Sequence, residues 1–150
     1  MKNSITIDDI EVNVEAKDWR EAVRKTGAIL VKNGRVEDSY VEDMVDTVES
    51  LGPYIVICPG LAIPHAKKGT KVLKSGVGIV TLKKPVCFGN SSNDPVKVLI
   101  GLAGADDDVH LDIMQAIVGV FEDETIVDVI ANCYDRQWIA DLFNQKGEVK

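Results

Sequence analysis

The stretch "YIVIC" from Tyr54 to Cys58, closed by Pro59 and Gly60, decides the fold class of this chain. Its residues are β-branched or aromatic, and such residues favour a strand over a helix. Two more stretches of the same kind follow, "GVGIVTL" at 76–82 and "VKVLIGLAG" at 96–104. The sequence therefore predicts three strands in the middle of the chain.

Helical patterns lie before and after these strands. "DWRE" at 18–21 places an acidic residue at a helix start and a glutamate three residues later, which is typical of a reciprocal capping box. That helix is expected to end at Asn33 and Gly34. A second is expected to start at Ser39, which repeats the capping pattern with Glu42 three residues later, and to stop at Gly52. Later helices are predicted from Asp106–Asp108 through Phe121, around 126–130 and around 138–143.

The remaining segments complete an α/β pattern. The loose alternation from Ile5 to Val14 predicts a short strand or an extended arm. "PVCFGNSSNDP" at 85–95 predicts a loop, with a short edge strand from Val86 to Phe88. Helices before, between and after strands predict one α/β domain over residues 1–150, in which a mixed β-sheet is flanked by helices on both faces.

Composition excludes several classes of function. The net charge of −7 argues against a nucleic-acid-binding protein, because nothing here neutralises a row of phosphates. The apolar run "VLIGLAGA" at 98–105 is too short to span a bilayer, and 1–6 lacks the apolar core of a signal peptide. Three cysteines without a CxxC spacing predict reduced thiols rather than a structural zinc site. We therefore expect a cytoplasmic protein.

One of only two histidines lies in "PGLAIPHAKKG" at 59–69. Pro64 fixes the backbone before His65, and Gly60 permits a tight turn upstream. The residue follows a predicted strand, where open α/β sheets commonly place their sites. His65 is therefore either a pre-positioned nucleophile or a loop histidine that caps a carbonyl group, and the residues alone leave both interpretations open.

The second histidine, His110, falls in the first turn of a predicted helix. It shares the apolar stripe of Ile113, Ile117 and Phe121, so it is expected to face the body of the domain. By itself this position is typical of a half-buried histidine whose hydrogen bonds are satisfied. The helix N-terminus disfavours protonation of the ring while the aspartates at 106–108 favour it, so its charge stays open.

Other chemistries lack their motifs. There is no HxH or HExxH spacing, and Lys67 and Lys68 beside His65 would repel a cation, so no metal is expected. The GxSxG elbow, the P-loop and the dinucleotide-binding glycine pattern are all absent from the sequence, and no cofactor is expected. Cys58, at the end of a predicted strand, is interpreted as a small buried hydrophobe.

The segment "GLAIPHA" at 60–66 resembles the phosphorylation-site motif of the mannitol/fructose-type enzyme IIA domains of the bacterial phosphoenolpyruvate:sugar phosphotransferase system. The resemblance covers nearly the whole chain and is strongest to the ascorbate-type branch. The other segments that carry it are "DWREAV", "YVEDM", "GPYIVICPG", "DPVKVLIGLAGAD" and "VHLDIMQAI".

The resemblance implies a phosphoryl relay. His65 would accept a phosphoryl group from the phosphohistidine of the carrier protein HPr and pass it to a cysteine of enzyme IIB, for ascorbate or a related sugar. His110 would hydrogen-bond the phosphoryl oxygens, and neither a metal nor a cofactor would be needed. An apolar docking surface is expected around His65, built from residues 61–63 with nearby loop residues, and the oligomeric state stays open.

Two further expectations concern partners. The cysteines Cys58, Cys87 and Cys133 are not followed by the glycine-rich phosphate loop of an enzyme IIB, so enzyme IIB and the membrane permease are expected to be separate chains. The chain would then meet the membrane component only through enzyme IIB. The alternatives are a regulatory module of the same fold, whose phosphorylation state another protein reads, and a binding domain whose histidines are structural.

Overall fold

The computed structural model describes residues 5–67 and 71–146, which form one sheet with helices packed on it. The five strands of that sheet are β1 (Ile10–Val14), β2 (Val56–Cys58), β3 (Leu61–Ala62), β4 (Gly76–Val86) and β5 (Val96–Ala103), in the order β1-β4-β5-β3-β2. β1 pairs parallel with β4 and β3 parallel with β5, whereas β4 runs antiparallel to β5 and β2 to β3. The predicted mixed sheet of an α/β fold is confirmed.

Helices cover both faces of the sheet. The helices are α1 (Trp19–Lys32), α2 (Ser39–Leu51), α3 (Asp107–Val120), α4 (Ile126–Ala131) and α5 (Arg136–Lys146). On one face α1 and α2 bury Leu30, Met44 and other apolar side chains against Leu99 of β5. On the opposite face α3, α4 and α5 bury a second core, which includes Ile100 of β5 and Phe143. Neighbouring residues of β5 thus point into different cores, as the pleat of a strand requires.

The predicted starts of α1, α2 and α3 are confirmed, but the capping role expected of Ser39 is wrong. Asp18 caps α1, because its Oδ1 accepts a hydrogen bond from the Glu21 N–H at 2.9 Å. The expected reciprocal bond does not form, because the Glu21 side chain accepts from the Lys17 N–H at 3.2 Å rather than from the Asp18 N–H. Asp106 caps α3 by accepting from the Val109 N–H at 2.9 Å. Ser39, in contrast, is the first residue of α2 rather than its cap, and Asp38 is the N-cap residue without a capping side-chain bond. The pattern of Ser39 followed by Glu42 therefore predicts this helix correctly, but the residue at the cap position is Asp38.

The strands before the first histidine differ most from expectation. Residues Pro53–Ile55 form a 3₁₀ turn, so β2 begins only at Val56. Gly52 at φ +81° and the fixed φ of proline turn the chain there before it can extend. Val86 is the last residue of the long β4 rather than the start of a separate edge strand. In the described residues no helix is long and apolar enough to cross a membrane.

Candidate active site at the carboxyl ends of β3 and β5

His65 continues the line of β3 beside the end of β5. It forms an isolated parallel bridge with Leu102, and the Leu102 N–H donates to the Pro64 carbonyl oxygen at 3.0 Å. The residue is half-buried. Strand pairing, in addition to the preceding proline, therefore fixes the backbone that carries this histidine.

One ring nitrogen of His65 is already engaged. Its Nδ1 lies 2.8 Å from the carbonyl oxygen of Ile63. A carbonyl oxygen can only accept a hydrogen bond, so Nδ1 carries a proton and donates it. In the neutral form of this ring the lone pair is therefore on Nε2, the nitrogen that a neutral imidazole can use as a nucleophile.

His110 reaches the same place from the first turn of α3. The centroids of the two imidazole rings lie 5.4 Å apart, with the ring planes at 76°. The His110 main-chain N–H donates to the Asp106 carbonyl oxygen at 3.0 Å, which fixes this turn of the helix. The structure thus brings together the two histidines that the sequence singled out, although they are 45 positions apart.

Gly104 allows this approach. It lies just after β5 and is buried against α3. A Cβ atom at this position would stand 2.8 Å from His110 Cβ and 3.0 Å from His110 Cα. Both distances are far inside normal carbon–carbon contact, so the helix can sit here only because residue 104 has no side chain.

Tyr40, from α2, is a third side chain at this end of the sheet that sequence reasoning missed. It is only 1% exposed, and burial raises the pKa of its hydroxyl above the usual value. Its Oη accepts from the Ala66 N–H at 3.1 Å and donates to the Leu102 carbonyl oxygen at 2.9 Å. The Ala66 N–H belongs to the residue that follows His65, and the Leu102 carbonyl belongs to the β5 residue that pairs with His65.

The predicted apolar docking surface is wrong. Leu61, Ala62 and Ile63 are 0%, 0% and 1% exposed, because they lie between β2 and β5 and are covered from both faces. Leu111, which follows His110 on α3, is a large apolar residue that is 55% exposed. Beside Ala66 and Lys67, a groove of about 450 Å³ runs along α2.

The three cysteines differ in their exposure to solvent. Cys58 is half-buried, and desolvation by burial is the main cause that raises its pKa. Cys87 is exposed and Cys133 half-buried.

Lys67 is exposed, whereas Lys68 lies outside the described residues. Within residues 5–67 and 71–146, no group of three or more His, Cys, Asp or Glu side chains is arranged to hold a metal ion.

Comparison with known proteins identifies the family that this chain matches. The family model "Phosphoenolpyruvate-dependent sugar phosphotransferase system, EIIA 2" matches residues 3–146. The ascorbate-specific PTS system EIIA component of Escherichia coli (strain K12) is 41% identical over 137 residues, which are 91% of this chain and 89% of that protein.

Two solved structures show the same fold. The crystal structure of mannitol IIA from Escherichia coli has a TM-score of 0.83 at 28% identity, covering 93% of this chain and 99% of the other. The mannitol enzyme IIA in the Escherichia coli complex with phosphorylated mannitol enzyme IIB has a TM-score of 0.84 at 27% identity, covering 95% and 98%.

Proposed function

The chain belongs to the EIIA 2 family of the phosphoenolpyruvate-dependent sugar phosphotransferase system, and we propose that it relays phosphoryl groups through Nε2 of His65. The donor is the phosphohistidine of HPr, and the acceptor is a cysteine of enzyme IIB. The identity to an ascorbate-specific component supports ascorbate or a related sugar as the transported substrate. The observation that carries the proposal is the Nδ1 contact with the Ile63 carbonyl, which leaves Nε2 free to react beside His110.

In the first transfer, the lone pair of His65 Nε2 attacks the phosphorus atom of phospho-HPr. A new N–P bond forms as the N–P bond to the HPr imidazole breaks, and that bonding pair stays with the HPr nitrogen. The His65 ring gains positive charge while its Nδ1–H continues to donate to the Ile63 carbonyl, 2.8 Å away. A carbonyl dipole aimed at that proton stabilises the developing charge.

In the second transfer the same atoms act in reverse. A cysteine thiolate of enzyme IIB attacks the phosphorus, and the N–P bond to Nε2 breaks with its pair returning to the imidazole. His65 regains its neutral form with the proton still on Nδ1, so no proton has to move between the two steps. Phosphoryl transfer of this kind depends mainly on positioning and on stabilising charge on the equatorial oxygens.

His110 supplies that stabilisation in the proposal. Its ring meets the ring of His65 edge to face with centroids 5.4 Å apart, which leaves it within reach of a phosphoryl group on Nε2. A ring N–H donated to a phosphoryl oxygen strengthens as negative charge builds up in the transition state. Removing one such donor costs about 10²–10³-fold in rate in enzymes that stabilise an oxyanion.

The test is reconstitution with phosphoenolpyruvate, enzyme I and HPr. One phosphate per chain is expected, labile in acid and stable in base, and absent from His65→Ala. Nitrogen-15 NMR of the labelled ring should place the phosphoryl group on Nε2. An acid-stable product, or full labelling of His65→Ala, would overturn the assignment.

The onward step is tested by adding an ascorbate-type enzyme IIB. The phosphate is expected to move to its cysteine and to be lost from His65. Stable phosphorylation of His65 without transfer to any enzyme IIB would instead support the regulatory module, in which another protein reads the phosphorylated state.

A further inference from the structure

We propose that Tyr40 is a positioning residue for phosphoryl transfer, because its hydroxyl completes the strand bridge that holds the backbone of His65. The kinetic part of this inference rests on the proposed function. The structural part, that Tyr40 sets the place of the His65 ring, does not, and the experiments below separate the two.

The bridge between His65 and Leu102 has two sides. On the first side the Leu102 N–H donates directly to the Pro64 carbonyl oxygen at 3.0 Å. On the second side the Tyr40 hydroxyl lies between the Ala66 N–H, from which it accepts at 3.1 Å, and the Leu102 carbonyl oxygen, to which it donates at 2.9 Å. The peptide groups before and after His65 are therefore both tied to one residue of β5.

The direction of the hydroxyl proton follows from the distances. Tyr40 Oη also lies 3.3 Å from the Ala66 carbonyl oxygen, but the hydroxyl has one proton and the Leu102 oxygen is nearer. Burial raises the pKa of Tyr40, so the phenol stays protonated and keeps this donor around neutral pH. The link therefore persists under the conditions in which the chain would work.

Tyr40 is also well held itself. It lies in the first turn of α2 and is 1% exposed, and its main-chain N–H donates to the Glu37 carbonyl oxygen at 3.0 Å. Two χ angles and a packed ring fix the hydroxyl more firmly than a long flexible side chain could. A helix on one face of the sheet thereby sets the position of a residue at the sheet's end.

Removing the hydroxyl should move His65. In Tyr40→Phe, the Ala66 N–H and the Leu102 carbonyl lose their partner while both residues are at most 4% exposed. Buried peptide groups rarely stay unpaired, so the two should approach each other and draw the chain after His65 toward β5. The ring would then shift relative to His110 and to an incoming phosphoryl group.

The experiment compares Tyr40→Phe with the wild-type chain in rapid-quench transfer from phospho-HPr. We expect a kcat lower by about 10- to 100-fold, since a misplacement near 1 Å has that effect on oriented reactions. KM for phospho-HPr should be unchanged, because the surface that meets HPr is not altered. A folded Tyr40→Phe with wild-type kcat overturns the proposal.

Thr81→Val is the matched control. Thr81 is 0% exposed, and its hydroxyl accepts from the Asn13 N–H at 2.9 Å, so this change also removes a buried hydroxyl that serves a main-chain group. Thr81 lies opposite Val98, near the other end of β5. It should lose stability as Tyr40→Phe does and keep the wild-type kcat. An equal loss of kcat in both variants would show that the Tyr40 hydroxyl affects transfer only through stability, and it would overturn the proposal.

Two NMR measurements do not depend on the proposed function. In unphosphorylated Tyr40→Phe, the contacts between the rings of His65 and His110 should weaken relative to wild type. In the wild-type chain the Ala66 amide should exchange as slowly as the amides inside β5, which tests the hydroxyl link even if Tyr40→Phe does not fold. Unchanged ring contacts, or rapid exchange at Ala66, overturn the inference. A wild-type chain that HPr cannot phosphorylate refutes the proposed function and leaves these two results to decide the role of Tyr40.

Discussion

Replacing Gly104 by alanine should slow phosphoryl transfer although neither histidine is substituted. Residue 104 is buried, and its φ lies outside the left-handed region, so alanine brings no backbone strain of its own. The added Cβ would meet His110 Cβ at 2.8 Å, His110 Cα at 3.0 Å and His110 Nδ1 at 3.1 Å. Because one of these atoms is main chain, a change of side-chain rotamer cannot relieve the crowding.

The size of the effect follows from these distances. Carbon atoms in contact prefer separations of about 3.5–4.0 Å, so the first turn of α3 must retreat by roughly 1 Å. A displacement of this size at a charge-stabilising group costs about 10²-fold in rate. The overpacking itself should lower the free energy of unfolding by about 1–3 kcal/mol.

The assay is single-turnover transfer from phospho-HPr, at a temperature where circular dichroism shows Gly104→Ala to be folded. Gly78→Ala is the control, since its Cβ would meet Ile29 Cβ and the Thr26 carbonyl oxygen at 3.1 Å, under α1 and away from His110. Gly78→Ala should be destabilised and transfer at the wild-type rate. If Gly104→Ala also transfers at that rate, the position of His110 does not govern the chemistry and the reasoning fails.

Three further predictions concern single side chains. His110→Ala should slow transfer by about 10²–10³-fold, because it removes a hydrogen-bond donor to the phosphoryl group. His110→Gln should recover part of the loss, because its amide still donates a hydrogen bond. Equal rates for both variants and wild type would show that His110 serves only packing. Leu111→Asp should raise KM for both HPr and enzyme IIB. Val118→Asp is the control and should leave both KM values unchanged, although both residues are 55% exposed on α3. Similar effects of the two changes would show that the docking surface does not include Leu111. Burial raises the pKa of the Cys58 thiol, so a thiol reagent at pH 8 should label the exposed Cys87 before Cys58. Mass spectrometry gives the order of labelling, and labelling of Cys58 first would contradict the prediction.

The sequence predicted what is encoded locally. The caps at Asp18 and Asp106, the central strands at 76–82 and 96–104, and the mixed sheet between helices all rest on patterns a few residues long. The two histidines could be selected because the chain has no others and because one follows a proline. The structure brings them together as the resemblance implied, and their roles in transfer stay predictions.

What the sequence could not show depends on contacts between distant residues. β3 is two residues long, too short for any periodicity, and exists because Leu61 and Ala62 pair with Val98 and Leu99. That pairing buries the segment, and the expected docking surface is wrong for this reason.

Tyr40 and Gly104 were missed for the same kind of reason. The hydroxyl partners of Tyr40 lie 26 and 62 positions away, and nothing in a window around α2 points to them. The need for glycine at 104 arises only when α3 is packed against β5. No local pattern distinguishes such a residue from an ordinary turn glycine.

The cores on the two faces of the sheet have a consequence for partly unfolded molecules. Tyr40 belongs to the core under α1 and α2, whereas α3, which carries His110, packs on the other. Proteins open in local units, and a unit that detaches from one face can leave the opposite face intact. Here the backbone of His65 is held from one face through Tyr40, and His110 reaches it from the other, so a molecule in which either layer has detached should accept phosphate from the carrier more slowly.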